Sequence, residues 1–172
     1  MTQYFVYGRD RADGGAVKAR LIEEHWAFMD RYAAELMARG PTLTEDREAS
    51  TGSMHIVDLP SEEALHTFVY DEPYYLGGAF ETVEVYRFHN HTARTMWQFT
   101  TAVPDYNRYL ILTKDASRPL TSDHLIMYGD LLDGDAHVGR AALLEAPSAE
   151  AAAALIEAAE AEVHPWEFGG RR

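Results

Sequence analysis

Gly52-Ser53-Met54-His55-Ile56-Val57-Asp58-Leu59-Pro60-Ser61-Glu62-Glu63-Ala64 is the stretch that decides the fold. Residues 54–59 form a dense apolar run of strand length, read as a buried strand. Pro60 stops it. Ser61 then caps a helix whose first turn carries Glu62 and Glu63, where acidic side chains suit the helix dipole. The same grammar returns 87 residues later: Gly139 answers Gly52, Pro147-Ser148 answers Pro60-Ser61, and Glu150-Ala151 answers Glu63-Ala64. One constant offset over several separated positions marks an internal repeat of a strand–helix unit.

Working outward, residues 3–7 read as a strand ending at Gly8. Asp13 before Gly14-Gly15 is a helix-cap candidate, and Val17, Leu21, His25, Phe28, Tyr32 and Leu36 recur at three- and four-residue steps. That spacing predicts a helix over 16–39, ended by Gly40-Pro41. A short strand over 42–45, the strand over 54–59, a helix to Tyr70 and an alternating strand over 82–88 complete the order β-α-β-β-α-β, which is the ferredoxin-like arrangement. The second half gives strands over 109–113, at Leu131-Leu132, over 139–145 and over 163–168, with an Ala-rich helix over 149–161 capped by Ser148. The offset is 105 residues at the first strands, 87 in the middle and 80 at the last strands. The second copy therefore lacks most of the first helix and the loop 71–78. The expected organisation is a unit over residues 1–93, a linker over 94–107 that packs through Met96, Trp97 and Phe99, and a reduced second unit over 108–172.

Composition narrows the function classes. Lys and Arg number 15 against 28 Asp and Glu, for a net charge of −13. Such a chain repels phosphate backbones and anionic headgroups, which excludes general nucleic-acid binding and peripheral membrane binding. Cys is absent, so disulfides, thiolate metal sites and Cys nucleophiles are excluded. No apolar run is long enough to span a bilayer, and the N-terminus lacks the pattern of a signal peptide; the expected setting is cytoplasmic.

The chemistry is expected in the two segments that the second copy lacks. The first helix holds Arg20, His25 and Trp26; the loop reads Asp71-Glu72-Pro73-Tyr74-Tyr75-Leu76-Gly77-Gly78. A His serves as general base near neutral pH, and a carboxylate on its ring fixes the tautomer. His25 with Asp71 is the sharp reading; a satisfied core histidine on an apolar stripe is the bland one. Arg20 is the candidate to clamp a substrate anion, against a surface ion pair with Glu23 or Glu24. Trp26 and Tyr74 are candidates to wall an aromatic pocket. His89-Asn90-His91 invites a metal reading, because alternate strand residues share a face, but spacing supplies no third ligand and no metal is assigned.

Taken together, Tyr4-Phe5-Val6-Tyr7, Arg20 and His25, Arg39-Gly40-Pro41-Thr42-Leu43, Gly52-Ser53-Met54, the run from Ser61 to Ala64, Asp71-Glu72-Pro73-Tyr74 through Gly77, and Val83-Glu84-Val85 resemble the YCII-related family of the dimeric α+β barrel superfamily over residues 3–88. The resemblance implies an α+β fold: tandem ferredoxin-like units whose antiparallel sheets meet face to face as a barrel within one chain. It implies a small pocket with a His–Asp pair, carried onto His25 and Asp71. Relatives in the superfamily include muconolactone-isomerase-like enzymes, and dehydrochlorination has been attributed to the family. The expected function is lyase- or isomerase-type acid–base chemistry on a small cyclic or aromatic metabolite, with no cofactor and no metal. The alternative is a non-catalytic protein that binds a small molecule. Exposed edges of short strands leave pairing into a homodimer open.

Overall fold

Both faces of the first strand are apolar, and the architecture explains why. The computed structural model describes residues 1–115, 118–157 and 160–171. In chain order the elements are β1 (Thr2–Asp10), α1 (Gly14–Asp30), β2 (Leu36–Leu43), β3 (Ser50–Leu59), α2 (Glu62–Tyr70), α3 (Pro73–Leu76) and β4 (Phe80–Asn90). A 3₁₀ turn at Met96–Gln98 follows, then β5 (Asn107–Thr113), β6 (Leu125–Asp133), β7 (Ala136–Ala146), α4 (Ala149–Ile156) and β8 (Ala161–Trp166). The strands close an antiparallel eight-stranded barrel in the order β1-β3-β2-β8-β5-β7-β6-β4. Each half contributes four neighbouring strands: β4-β1-β3-β2 from the first and β8-β5-β7-β6 from the second. Both runs place their own fourth, first, third and second strands in sequence. The fold is thus α+β, with two ferredoxin-like sheets meeting inside one chain.

Phe5 and Tyr7 point into the barrel with Met54, Ile56, Leu110 and Trp166, whereas Tyr4 and Val6 point outward beneath α1 and α2. A separate outer cluster lies beneath α4. Such two-sided burial requires apolar residues at both parities of a strand. The segment between the halves packs inward: Met96 is fully buried and Phe99 nearly so, both within the barrel cluster. No helix among the described residues is long and apolar enough to cross a membrane.

The first helix is shorter than its periodicity predicts. It ends at Asp30, and the chain turns over 31–35 into β2, which contains Gly40 and Pro41. Tyr32 and Leu36 keep helical spacing because both reach the same outer cluster, one from the turn and one from the strand. The strand expected over 42–45 is the end of this longer β2, and Leu131-Leu132 belongs to the nine-residue β6. α4 stops at Ile156, Glu157 adopts a left-handed cap, and Ala161 already starts β8. Residues 158–159 of the predicted helix lie outside the described residues. Ser61 and Ser148 cap as the sequence predicts, accepting from Ala64 N and Ala151 N at 3.1 Å each. Asp13 occupies the cap position of α1 without a side-chain cap bond.

Two seams join the sheets. β4 pairs with β6 from Arg87↔Leu132 to Asn90↔Gly129, and β2 meets β8 at Thr42↔Trp166. The second seam is short and is reinforced by side chains. Arg47 donates to Trp166 O at 3.2 Å and to Arg108 O at 2.7 Å, and Arg9, held at 2.7 Å by Glu84 of its own half, reaches across to Glu162 at 2.8 Å. Beyond β8 the chain runs on along β2. Glu167 N donates to Pro41 O at 3.4 Å and Gly169 N to Arg39 O at 3.1 Å. This approach needs Gly40, because a Cβ there would overlap the Glu167 carbonyl. Gly40→Ala is therefore expected to cost about 1–3 kcal/mol by overpacking, lowering the melting temperature by roughly 3–10 °C. Gly15→Ala, on α1 with open space around it, is expected to leave stability unchanged or slightly raised. Thermal unfolding of the two variants checks both.

Candidate active site between helix and sheet

The buried face of α1 presents Lys18, His25, Phe28 and Met29 to the outer face of the first sheet. Across from it, α2 ends at Tyr70 and Glu72 adopts an extended conformation as N-cap of α3, with Pro73 in the first helical position. The Glu72 carboxylate accepts from Tyr74 N at 3.1 Å and Tyr75 N at 3.2 Å. The same carboxylate meets His25 Nδ1 at 2.5 Å. His25 is 7% exposed and Glu72 5%, so the pair is shielded from water. A carboxylate held by two backbone N–H donors is an acceptor, which assigns the imidazole proton to Nδ1 and leaves Nε2 as the basic nitrogen. Nε2 has no hydrogen-bond partner among the described residues. The Tyr74 ring stacks on the imidazole, with centroids 3.9 Å apart and planes within 4°. Burial pushes the Tyr74 phenol well above its ordinary range, with the Glu72 charge adding to the effect, so it stays protonated.

Further polar groups line the same layer. Lys18 Nζ lies 2.7 Å from Asp10 and donates to Ser50 Oγ at 2.8 Å, and Ser50 donates to Asp10 at 2.8 Å. Burial lowers the Lys18 pKa, against the pull of Asp10. His55 on β3 lies with its ring centroid 6.0 Å from that of His25 and packs edge-on to Phe68. Burial, followed by the neighbouring cations, holds the His55 pKa well below its ordinary value, so it is neutral. Opposite His55 in the β2–β3 register stands Arg39, 5% exposed. Its guanidinium finds no acceptor within hydrogen-bonding distance among the described residues, and burial lowers its pKa. The C-terminal segment covers it: Gly170, at φ 83°, lies so close that a Cβ would overlap the guanidinium. Arg171 anchors this segment on Asp30 at 2.9 Å and Glu23 at 3.4 Å and lies over Trp26. A cavity of about 20 Å³, lined in part by Ser53, His55 and Glu72, lies within the layer. That is room for a single water at most.

The structure brings His25 and Tyr74 together and separates the other residues singled out by sequence. Asp71 is exposed at the end of α2, its N–H bonded to Thr67 O; the carboxylate on His25 belongs to the next residue, Glu72. Arg20 lies on the solvent side of α1, because five residues of helix turn it well away from the face of His25. Trp26 is half-buried under the C-terminal segment. The signal for Glu72 in the sequence is an acidic residue directly before a proline, a helix-start signature that places its side chain at α3. Nothing local marks Arg39 or His55, which meet only through strand register.

His55 makes stability depend on pH. Its folded pKa is depressed, so between that value and the unfolded value of about 6.5 the unfolded chain binds more protons, and stability falls as the pH falls below about 6.5. Chemical denaturation across this range is expected to show a slope of up to about 1.4 kcal/mol per pH unit from this one group, removed in His55→Leu.

The YCII-related domain matches residues 2–89, just over half of the chain. No curated protein matches the sequence. Among solved structures, 5-chloro-2-hydroxyhydroquinone dehydrochlorinase (TftG) from Burkholderia phenoliruptrix, solved with 2,5-dihydroxybenzoquinone, is 26% identical, with 54% of this chain and 98% of that chain covered and a TM-score of 0.49. A monooxygenase-like protein from Lactobacillus acidophilus is 10% identical over 99% of this chain and 98% of that one, with a TM-score of 0.54. An anthrone-oxidase-like protein is 12% identical over 99% and 92%, with a TM-score of 0.52. The two long matches show the fold, in which both halves take part. With the domain match spanning the unit that carries His25, Glu72 and Tyr74, the chain belongs to the YCII-related family.

Proposed function

We propose that this chain is a small-molecule enzyme of lyase or isomerase type, acting by general acid–base chemistry on a small cyclic or aromatic metabolite. The observation that carries this reading is the buried 2.5 Å contact between His25 Nδ1 and Glu72. Nε2 of His25 takes a proton from a substrate carbon or hydroxyl. The electron pair left behind forms a double bond, either as a leaving group departs from the adjacent carbon or as the proton returns elsewhere. Glu72 stabilises the imidazolium formed on the way and holds the ring in one tautomer. The Tyr74 ring fixes its plane. Arg39, rather than Arg20, is the cation for an anionic substrate group: an unpaired buried guanidinium is costly unless an anion meets it. The segment 167–171 must lift to admit a ring. Its Arg171 ion pairs are solvent-exposed and screened, so they hold the segment only weakly.

In this reading the second half is a reduced copy, and its sheet supplies the inner wall of the first. The acid–base step itself needs no cofactor or metal, and the barrel closes without a second copy of the chain. A second reading, non-catalytic binding, is favoured by a different observation. One mouth of the barrel holds a cavity of about 590 Å³ between Phe5, Tyr86, Leu112 and Leu131, a size suited to a small organic ligand.

Exchange of substrate C–H protons with D₂O, followed by NMR over a panel of small cyclic acids and phenols, tests the proposal whatever the eventual product. The expected result is protein-catalysed exchange in at least one compound. It should be slowed about 10²- to 10⁴-fold in His25→Gln, slowed in Glu72→Gln, and unchanged in Asp71→Asn. Exchange that persists in His25→Gln overturns the assignment. Binding without exchange, lost on substitution of Tyr86, favours the second reading.

A further inference from the structure

The His89-Asn90-His91 pair left without a third ligand in the sequence acquires one across the β4–β6 seam. His89 and Asp130 stand opposite each other in register, and His91, one step beyond β4, bonds through its N–H to Tyr128 O at 3.0 Å. The three side chains therefore share one face of the joined sheets. One donor atom from each of His89, His91 and Asp130 lies within 4.8 Å of the other two. His91 Nε2 is 2.8 Å from Asp130 Oδ2, and the two imidazole centroids are 4.8 Å apart. The opposite oxygen, Oδ1, is held by Arg140 Nε at 3.1 Å and faces His137 Nε2 at 3.6 Å.

We propose that His89, His91 and Asp130 form a binding site for a divalent transition metal of the zinc type, which clips the first half of the barrel to the second. Two neutral imidazoles and one carboxylate are the donor set that Zn²⁺ accepts, with water completing a tetrahedron. Zinc–ligand bonds of about 2.0–2.1 Å place donors about 3.3 Å apart. His91 and Asp130 already approach to 2.8 Å, no donor pair is more than 4.8 Å apart, and both imidazoles are exposed enough to rotate onto that spacing. Asp130 is oriented for the role. Arg140 and His137 engage Oδ1, the outer arrangement that fixes a metal-binding carboxylate, and Oδ2 is left facing the imidazoles. The Arg140 charge weakens cation affinity, while the −13 net charge of the chain favours it. Imidazole donors exclude Mg²⁺ and Ca²⁺ as the preferred occupants. The ligands come from β4 and β6 on opposite sides of the seam, so occupancy stabilises the closed barrel by mass action.

The probe is zinc sulfate added to the chelator-treated full chain, read by titration calorimetry and by thermal unfolding. The expected result is one zinc per chain, undisturbed by excess Mg²⁺, with a melting temperature raised by about 5–10 °C at a hundredfold excess over the dissociation constant. His91→Ala and His89→Ala should each weaken binding at least about tenfold and abolish the rise in melting temperature. His89→Ala leaves the His91–Asp130 hydrogen bond in place, so the test stays readable if the His91 variant folds poorly. No saturable zinc binding, or binding with unchanged affinity in both variants, overturns the proposal.

Discussion

Everything in this molecule follows from burying the first sheet on both faces. Its inner face closes against the second half to make a barrel; its outer face lies under α1 and α2. A four-stranded sheet with one open face would tolerate polar residues on that face at no cost. Here the polar groups beneath α1, among them Lys18, His25, Arg39 and His55, are out of water and must find a partner or be held at an energetic penalty. That constraint makes the polar layer between α1 and β1–β3 informative, because each of its charged groups has to be accounted for.

Most of them are. Lys18, Asp10 and Ser50 form a closed set, and Glu72 is satisfied by two backbone N–H groups and His25. Two are not. His55 resolves the conflict by staying neutral. Arg39 stays charged, with the backbone at Gly170 lying against its guanidinium and Asp30 acting on it only through space. A buried guanidinium with no hydrogen-bonded acceptor is held at a cost. The same segment depends on Gly40 to approach β2, and backbone hydrogen bonds to Pro41 and Arg39 and the Arg171 ion pairs hold it over the guanidinium.

Much of this was legible in the residues. The repeated strand–Pro–Ser–helix grammar pointed to the two-part architecture, because Ser61 and Ser148 cap by the same local geometry wherever the chain goes next. The end of α1 was not legible. Tyr32 and Leu36 continue a helical spacing after the helix has stopped, because they converge on one cluster from different elements. His25 was legible from its place on the apolar stripe of α1. Its partner was missed by one position: the sharp turn at Glu72-Pro73 sends that side chain inward and leaves Asp71 in solvent. Arg39 beside His55, and Asp130 beside His89, are products of strand register, which no local pattern specifies.

Glu72, hydrogen-bonded to Nδ1, fixes the tautomer of the buried His25. Long-range nitrogen–proton NMR of the His25 ring in the neutral form reads it directly. The expected result is a proton held on Nδ1 in the native protein, retained in Asp71→Asn and no longer fixed there in Glu72→Ala. A His25 ring protonated on Nε2 in the native protein, or unaffected by the loss of Glu72, would contradict it.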